Sequence, residues 1–206
     1  MKTKIFCKAL PTNDLIIRSA LKKDLKIRYS KEGEKFKIIE ELGIRHGSTR
    51  IDIAVVNGIM HGYEIKSDLD TLKRLPEQMK EFNAVFDQMT LVVGKQHLYQ
   101  AMQIVPEWWG IKMAKTNSTN RVIFQTIREA EENRKQESVS IARLLWRGEA
   151  LQILEERDRA EGVRSKPREF IYARIADELD METLKGEVRD VLLNSRGDWR
   201  SVLQPA

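Results

Sequence analysis

The sequence predicts a mixed α/β fold, an α+β mixed sheet with helices packed against it, followed by a small all-helical module. Three observations carry that expectation. Short runs such as RIDIAVV, MTLVVG and RVIFQTI have the length and β-branched content of strands. Helical periodicities alternate with these runs. From Ile141 to Leu203 only helical periodicity remains. The 206 residues can bury a sizeable core, and the change of pattern predicts a first domain over 1–130, a polar linker over 131–140 and a helical module over 141–206.

Residues 11–29 predict a helix, with Pro11 and Thr12 at its start and Leu15, Ile16, Ala20, Leu21 and Leu25 near helical spacing. Phe36, Ile38, Ile39 and Leu42 predict a second helix ending at Gly43, which would put Glu40 and Glu41 in its last turn. That position opposes the helix dipole, so an acid there calls for some other reason, such as a nearby cation. Arg50 to Val56 and Met60 to Lys66 read as two strands of a hairpin around Asn57-Gly58. The stretch from Ser67 to Phe86 reads as a helix bent near Pro76, in which Arg74 and Gln78 share a face. MTLVVG, WGIKMAK and RVIFQTI read as strands and HLYQAMQIV as a short helix, and REAEENRKQESVS is almost wholly polar. IARLLW, EALQILEERD, FIYARIADEL and METLKGEVRDVLL supply the helical module.

The formal charge of +5 is unevenly distributed. Residues 1–49 hold twelve Lys and Arg against six Asp and Glu, whereas the two later stretches, 50–140 and 141–206, are close to balance. Lys22, Lys23 and Lys26 belong to a basic band that would attract a polyanion, although a solvated helix face explains the same residues. The single cysteine, Cys7, excludes an internal disulfide framework and a cysteine-rich zinc site. No stretch has the length and apolarity of a membrane span, so a cytoplasmic protein with no membrane partner is expected.

The hairpin places acids in strands otherwise suited to burial. Asp52 lies between Ile51 and Ile53, and Glu64 and Lys66 flank Ile65. Burying charge is costly unless it is paired or binds a cation, and carboxylates brought together are well suited to Mg2+ or Mn2+. A strict two-residue turn at Asn57-Gly58 would send Asp52 and Glu64 to opposite sides of the sheet. Their convergence therefore requires a three-residue connection over Asn57-Gly58-Ile59, or a bulge, with Gly62 as the candidate. The competing account of Glu64-x-Lys66 is a simple ion pair. Asp68 and Asp70 read as capping groups, and His46, His61 and His97 show no metal-ligand spacing. Trp108 and Trp109 read as core or sheet-edge residues.

The pattern Asp52-x11-Glu64-x-Lys66 resembles the PD-(D/E)xK nuclease superfamily, with Ile51 where the superfamily's name has proline. Glu41-Leu-Gly43, Arg50-Ile-Asp52, Gly62-Tyr-Glu64-Ile-Lys66-Ser-Asp68, Arg74-Leu75, Gln78, Pro106-Glu-Trp108-Trp109-Gly110 and Leu145-Trp146-Arg147 resemble a poorly characterised bacterial family within it. The resemblance implies a restriction-endonuclease-like core and a Mg2+-dependent deoxyribonuclease. Asp52, Glu64 and Glu41 would be metal ligands, Glu41 being placed there ahead of Glu40. Lys66 would stand at the attacking water, and Arg74 and Gln78 would support the site or contact phosphate. The stretch from Glu149 to Leu179 more loosely resembles a SAP-type DNA-binding module, implying that Arg164, Lys166 and Arg168 join Lys22, Lys23 and Lys26 in holding DNA. Two further readings stand beside the nuclease: a catalytically silent DNA-binding accessory protein on the same fold, for repair or a mobile element, and an interaction scaffold. Pairing into a homodimer fits an enzyme that cuts both strands.

Overall fold

The computed structural model describes residues 10–33 and 35–194; Cys7 lies outside them. Among the described residues a six-stranded sheet runs in sequence order, with seven α-helices around it. The helices are α1 (Asp14–Glu32), α2 (Leu75–Asn83), α3 (Leu98–Ile104), α4 (Ser138–Ala142), α5 (Arg147–Glu155), α6 (Arg168–Glu178) and α7 (Met181–Asn194). The strands are β1 (Lys37–Ile44), β2 (Thr49–Val56), β3 (Met60–Lys66), β4 (Gln88–Gly94), β5 (Gly110–Thr116) and β6 (Val122–Arg128). Strands β1, β2 and β3 are antiparallel, β3, β4 and β5 are parallel, and β6 returns antiparallel. The mixed sheet with flanking helices matches the predicted class. None of the described helices is long and apolar enough to cross a membrane.

Helix α1 begins where Asn13 caps it, the side chain accepting from the Ile16 N–H at 3.0 Å, and ends at Gly33, whose φ of 74° suits a residue without a side chain. It covers one face of the sheet. Ile17, Leu21, Leu25 and Tyr29 pack there on Ile53, Val55, Tyr63, Ile65, Val92 and Ala114. The opposite face carries the larger core, in which Leu75, Phe82, Phe86 and Trp109 join residues from α4 to α7.

The helix expected over 36–42 is a strand, β1, paired with β2 from Lys37↔Val56 to Ile44↔Thr49. The misleading signal has a physical source. Ile39 and Leu42 enter the same core at an interval of three, which reads as helical, and Ile51 and Ala54 opposite them repeat that interval. Between Ile39 and Leu42, Glu41 takes a left-handed conformation with φ 53°, which breaks the period-two alternation of an ordinary strand. The β-branched Ile38, Ile39 and Ile44 favour the strand on its own account.

The hairpin between β2 and β3 uses the three-residue connection that convergence of the acids requires. Val56 pairs with Met60, and the Asn57 N–H donates to the Ile59 carbonyl at 3.0 Å. Gly62 is regularly paired with Ala54 and forms no bulge. Its lack of a side chain serves packing instead, because a Cβ there would lie 2.4 Å from Met89 Sδ and 3.1 Å from the Phe86 ring.

The helix expected from Ser67 starts only at Leu75, with Pro76 in its first turn. The preceding residues form turns in which Asp70 Oδ2 accepts from both the N–H and the hydroxyl of Ser67. Asp68 Oδ2 accepts from the Thr12 N–H and hydroxyl, each at 2.8 Å, and its Oδ1 from the Gln96 N–H, so it ties the entry of α1 to the end of the sheet.

The polar stretch 131–140 is strapped to the body. Asn133, 5% exposed, donates from Nδ2 to the Asn83 and Phe86 carbonyls, while its N–H donates to the Asp87 carbonyl. Asp87 in turn accepts from the Met60 N–H at 2.7 Å and pairs with Lys185 of α7 at 2.6 Å. The C-terminal helices thus share the core and the buried polar contacts of that sheet face. Gly62→Val should destabilise the chain by about 1–3 kcal/mol through overpacking against Phe86 and Met89. Urea unfolding measures this, and an unchanged midpoint would mean that the pocket beneath Gly62 relaxes freely.

Candidate functional site

At the C-terminal end of β3, Glu64 and Lys66 point to one side of the strand, and β2 brings Asp52 beside them. The ladder runs from Val56↔Met60 to Ile53↔Tyr63, so the same register carried one step further sets Asp52 opposite Glu64. Asp52 then bridges to its neighbour by side chain: Oδ2 accepts from the Ile65 N–H at 2.6 Å.

The organising cation is Arg18 of α1, which the sequence reading did not single out. Its Nη2 reaches Asp52 Oδ1 at 2.5 Å, its Nη1 reaches Glu41 Oε1 at 2.7 Å and the Asp52 carbonyl at 2.9 Å, and Asp14 accepts from both its Nε and Nη2. The kink at Glu41 places that residue beside Asp52 across the β1–β2 pair. Glu40 is engaged elsewhere, by Lys22. A signal for Arg18 existed in its position, four residues from Asp14 and next to Ile17 of the buried stripe Ile17, Leu21, Leu25.

Glu64, only 1% exposed, forms a second charged group with Lys66. Lys66 Nζ lies 2.5 Å and Gln78 Nε2 2.8 Å from Glu64 Oε1. Glu64 Oε2 and Gln78 Oε1 are buried without a hydrogen-bond partner among the described residues. Arg74 lines the same open cleft, which has a volume of about 770 Å3, but only Gln78 of that pair reaches Glu64.

The electrostatics follow from this packing. Burial, then the Asp52 charge, push the Glu64 carboxyl up to about 8 against the opposing pull of Lys66 and Gln78. Burial also raises Asp52, outweighing the Ile65 N–H and the Arg18 charge. Burial works against the Arg18 cation, but the Asp14 bond and the Asp52 and Glu41 charges prevail and hold it above its ordinary value.

The donor set does not fit the three-carboxylate metal centre that the sequence resemblance implied. Arg18 stands between Asp52 and Glu41, Asp52 Oδ2 is held by backbone, and Glu64 Oε1 is held by Lys66 and Gln78. Among the described residues no group of three or more His, Cys, Asp or Glu side chains is disposed to hold a metal ion.

The other expected contacts separate into different surroundings. Lys23 and Lys26 are exposed on α1 with no ion-pair partner among the described residues, whereas Lys22 is committed to Glu40. Arg164 pairs with Glu155, the Arg164 and Lys166 carbonyls both accept from Arg147, and Arg168 opens α6. No hydrogen bond or ion pair among the described residues joins these three to the Asp52 cluster. Of the histidines, His46 bonds Glu169 and stacks on Tyr172, and His61 is buried. Trp109 is a core residue whose Nε1 donates to Asn83.

Two outcomes test this reading of the site. Arg18→Met leaves Asp52 and Glu41 without their shared cation and should cost about 3–5 kcal/mol in urea unfolding; a loss below about 1 kcal/mol would mean the guanidinium is solvated and dispensable. Glu64 binds its proton more tightly in the folded chain than in the unfolded one. Its stabilising contribution is therefore full below pH 4.5 and lost as pH rises through about 8. The stability of the native protein relative to Glu64→Gln should decline across that window. Parallel pH profiles for the two proteins would contradict the raised carboxyl.

Comparison with known proteins revises the sequence expectation. Protein cII of Enterobacteria phage P4 is 34% identical over 92 residues, covering 45% of this chain and 34% of that protein, so the chain spans about a third of the length of the curated relative it matches. A protein of unknown function from Silicibacter pomeroyi aligns with a TM-score of 0.41 at 16% identity, over 74% of this chain and 94% of that one. The family described as Bacteriophage P4 protein cII matches residues 12–201. This match overturns the assignment to the PD-(D/E)xK superfamily and the looser SAP-type likeness. The metal-dependent deoxyribonuclease rested on that resemblance and falls with it. The chain belongs to the Bacteriophage P4 protein cII family.

Proposed function

We propose that this protein binds DNA through its phosphate backbone, using the outer face of α1, and that its Asp52, Glu41 and Arg18 cluster is a structural clamp holding α1 in place for that contact. The observation that carries the reading is the charge of α1. Lys23 and Lys26 lie one turn apart, exposed and without ion-pair partners among the described residues, within the part of the chain that holds the whole cationic surplus. An α-helix rises 1.5 Å per residue, so such a pair is separated by roughly 5 Å along the axis, close enough for both lysines to meet one phosphate strand.

The cleft beside the clamp supports the same orientation by exclusion. Seven of its lining residues are Asp or Glu against four cations, or five with the adjoining Arg18, so the cleft offers a polyanion no positive surplus to match the lysine face. Side chains that reach into a groove are not required, because counterion release from phosphates alone gives sequence-tolerant affinity.

Fluorescence anisotropy of a labelled duplex across a salt series tests the proposal. The affinity should fall linearly on a logarithmic salt scale, and Lys23→Gln with Lys26→Gln should flatten that slope by about 2. DNA affinity that is absent, or indifferent to salt and to both lysines, would point instead to a protein-interaction scaffold.

A further inference from the structure

A second polar site lies at the other end of the sheet, under the C-terminal half of α1. His61 and Tyr63 of β3, Gln88 and Thr90 of β4, Lys112 of β5 and Arg28 of α1 surround a cavity of about 110 Å3. Taking about 30 Å3 per water, the cavity has room for three or four waters. This suits a small oxyanion and is well below the 300 Å3 or more of a drug-sized ligand pocket.

The charges in this cavity favour an anion. Lys112 lies 3.3 Å from Asp24 and 5.7 Å from the centre of the Phe124 ring, and Arg28 lies 3.6 Å from Glu32 and 5.7 Å from the centre of the Tyr29 ring. Arg128, also in the lining, donates to the Trp109 and Pro106 carbonyls and has no carboxylate partner among the described residues. Glu129 is the one carboxylate in the lining.

A buried hydrogen-bond chain ends in the same space. Tyr29 Oη lies 3.3 Å from Tyr63 Oη, which lies 3.2 Å from His61 Nδ1, and His61 Nε2 lies 2.8 Å from Thr90 Oγ1. His61 is 5% exposed and burial, with the Arg28 and Lys112 charges, depresses its pKa to about 3, so the ring is neutral and carries one N–H. The chain therefore holds four donor protons, one each from two tyrosines, the imidazole and the threonine, for three hydrogen bonds. One donor must point out of an end. Either Tyr29 directs its hydroxyl away, or the whole chain runs toward Thr90 and the Thr90 O–H faces the cavity. Gly110 preserves the space around that hydroxyl, since a Cβ there would lie 2.9 Å from Thr90 Oγ1.

We infer that this cavity is a binding site for a phosphate-sized oxyanion, held by Arg28 and Lys112 and by the outward hydroxyl of Thr90, with the Tyr29, Tyr63 and His61 chain fixing that hydroxyl's direction. Binding selects the Nε2–H form of His61, because only then does Thr90 have its proton free for the ligand. The inference stands independently of DNA contact by α1. The anion has two chemical sources, free phosphate and the terminal phosphate of an oligonucleotide.

Long-range 1H–15N correlation of the His61 ring during a titration with inorganic phosphate, against chloride at matched ionic strength, tests the site. A saturable shift to the Nε2–H form is expected with phosphate alone. Lys112→Met and Thr90→Val should each weaken it about tenfold or more, and Thr90→Ser should restore it. Oligonucleotides with a 5′-phosphate or a 5′-hydroxyl separate the sources: a response to the phosphorylated form only marks a nucleic-acid end, and a response to free phosphate only marks the free ion. No saturable change in the native protein with either phosphate source overturns the proposal, as does binding unaffected by both substitutions in folded protein. Should either variant fail to fold, the native titration decides alone.

Discussion

The guanidinium of Arg18 is the contact on which the architecture around the hairpin depends. It draws Asp14, Glu41 and Asp52 around a single positive charge, joining α1, β1 and β2 at one point. Removing charges from water is unfavourable, and their mutual attraction compensates only when the geometry is close and the remaining bonds are filled. Here the Asp52 carbonyl and the Ile65 N–H complete the set. The kink at Glu41 belongs to the same arrangement, since it puts that carboxylate within reach of the guanidinium.

Much of this organisation was legible in the sequence. The bounds of the hairpin were legible, and side-chain alternation with one register argument reduced the route to convergence of Asp52 and Glu64 to two, a three-residue connection or a bulge at Gly62, of which the chain uses the first. β1 was not legible, because a left-handed residue inside a strand shifts the apolar period from two toward three and imitates a helix. Arg18 was also hidden. Charges on a predicted helix are ordinarily solvated, and Lys22 follows buried Leu21 just as Arg18 follows Ile17, so only Asp14 four residues earlier sets this arginine apart. Asn133 stood in the most polar stretch of the chain, yet it is buried because three backbone groups need its bonds.

The acidic constellation illustrates how a short motif can give positions without giving chemistry. Asp52, Glu64 and Lys66 line the same cleft. They belong to two separate hydrogen-bonded groups: Lys66 and Gln78 satisfy one oxygen of Glu64, and Arg18 takes up Asp52. The same spacing therefore describes a cation-dependent site and a self-neutralised one equally well, and distinguishing them needs the third element that supplies the countercharge. In this chain that element is a helix some thirty residues upstream of the hairpin acids.

Asn133 and the Asp87–Lys185 pair bind the sheet to the helices that follow it at a point where a reader of composition would look for a hinge. Their amide and carboxylate groups are shielded from water and have partners on both sides. Separating the two parts would thus expose a shared apolar surface and strand several polar atoms simultaneously. Dissection of the gene at this stretch would produce two sticky, incomplete fragments, and melting of the intact chain should proceed as a single concerted event.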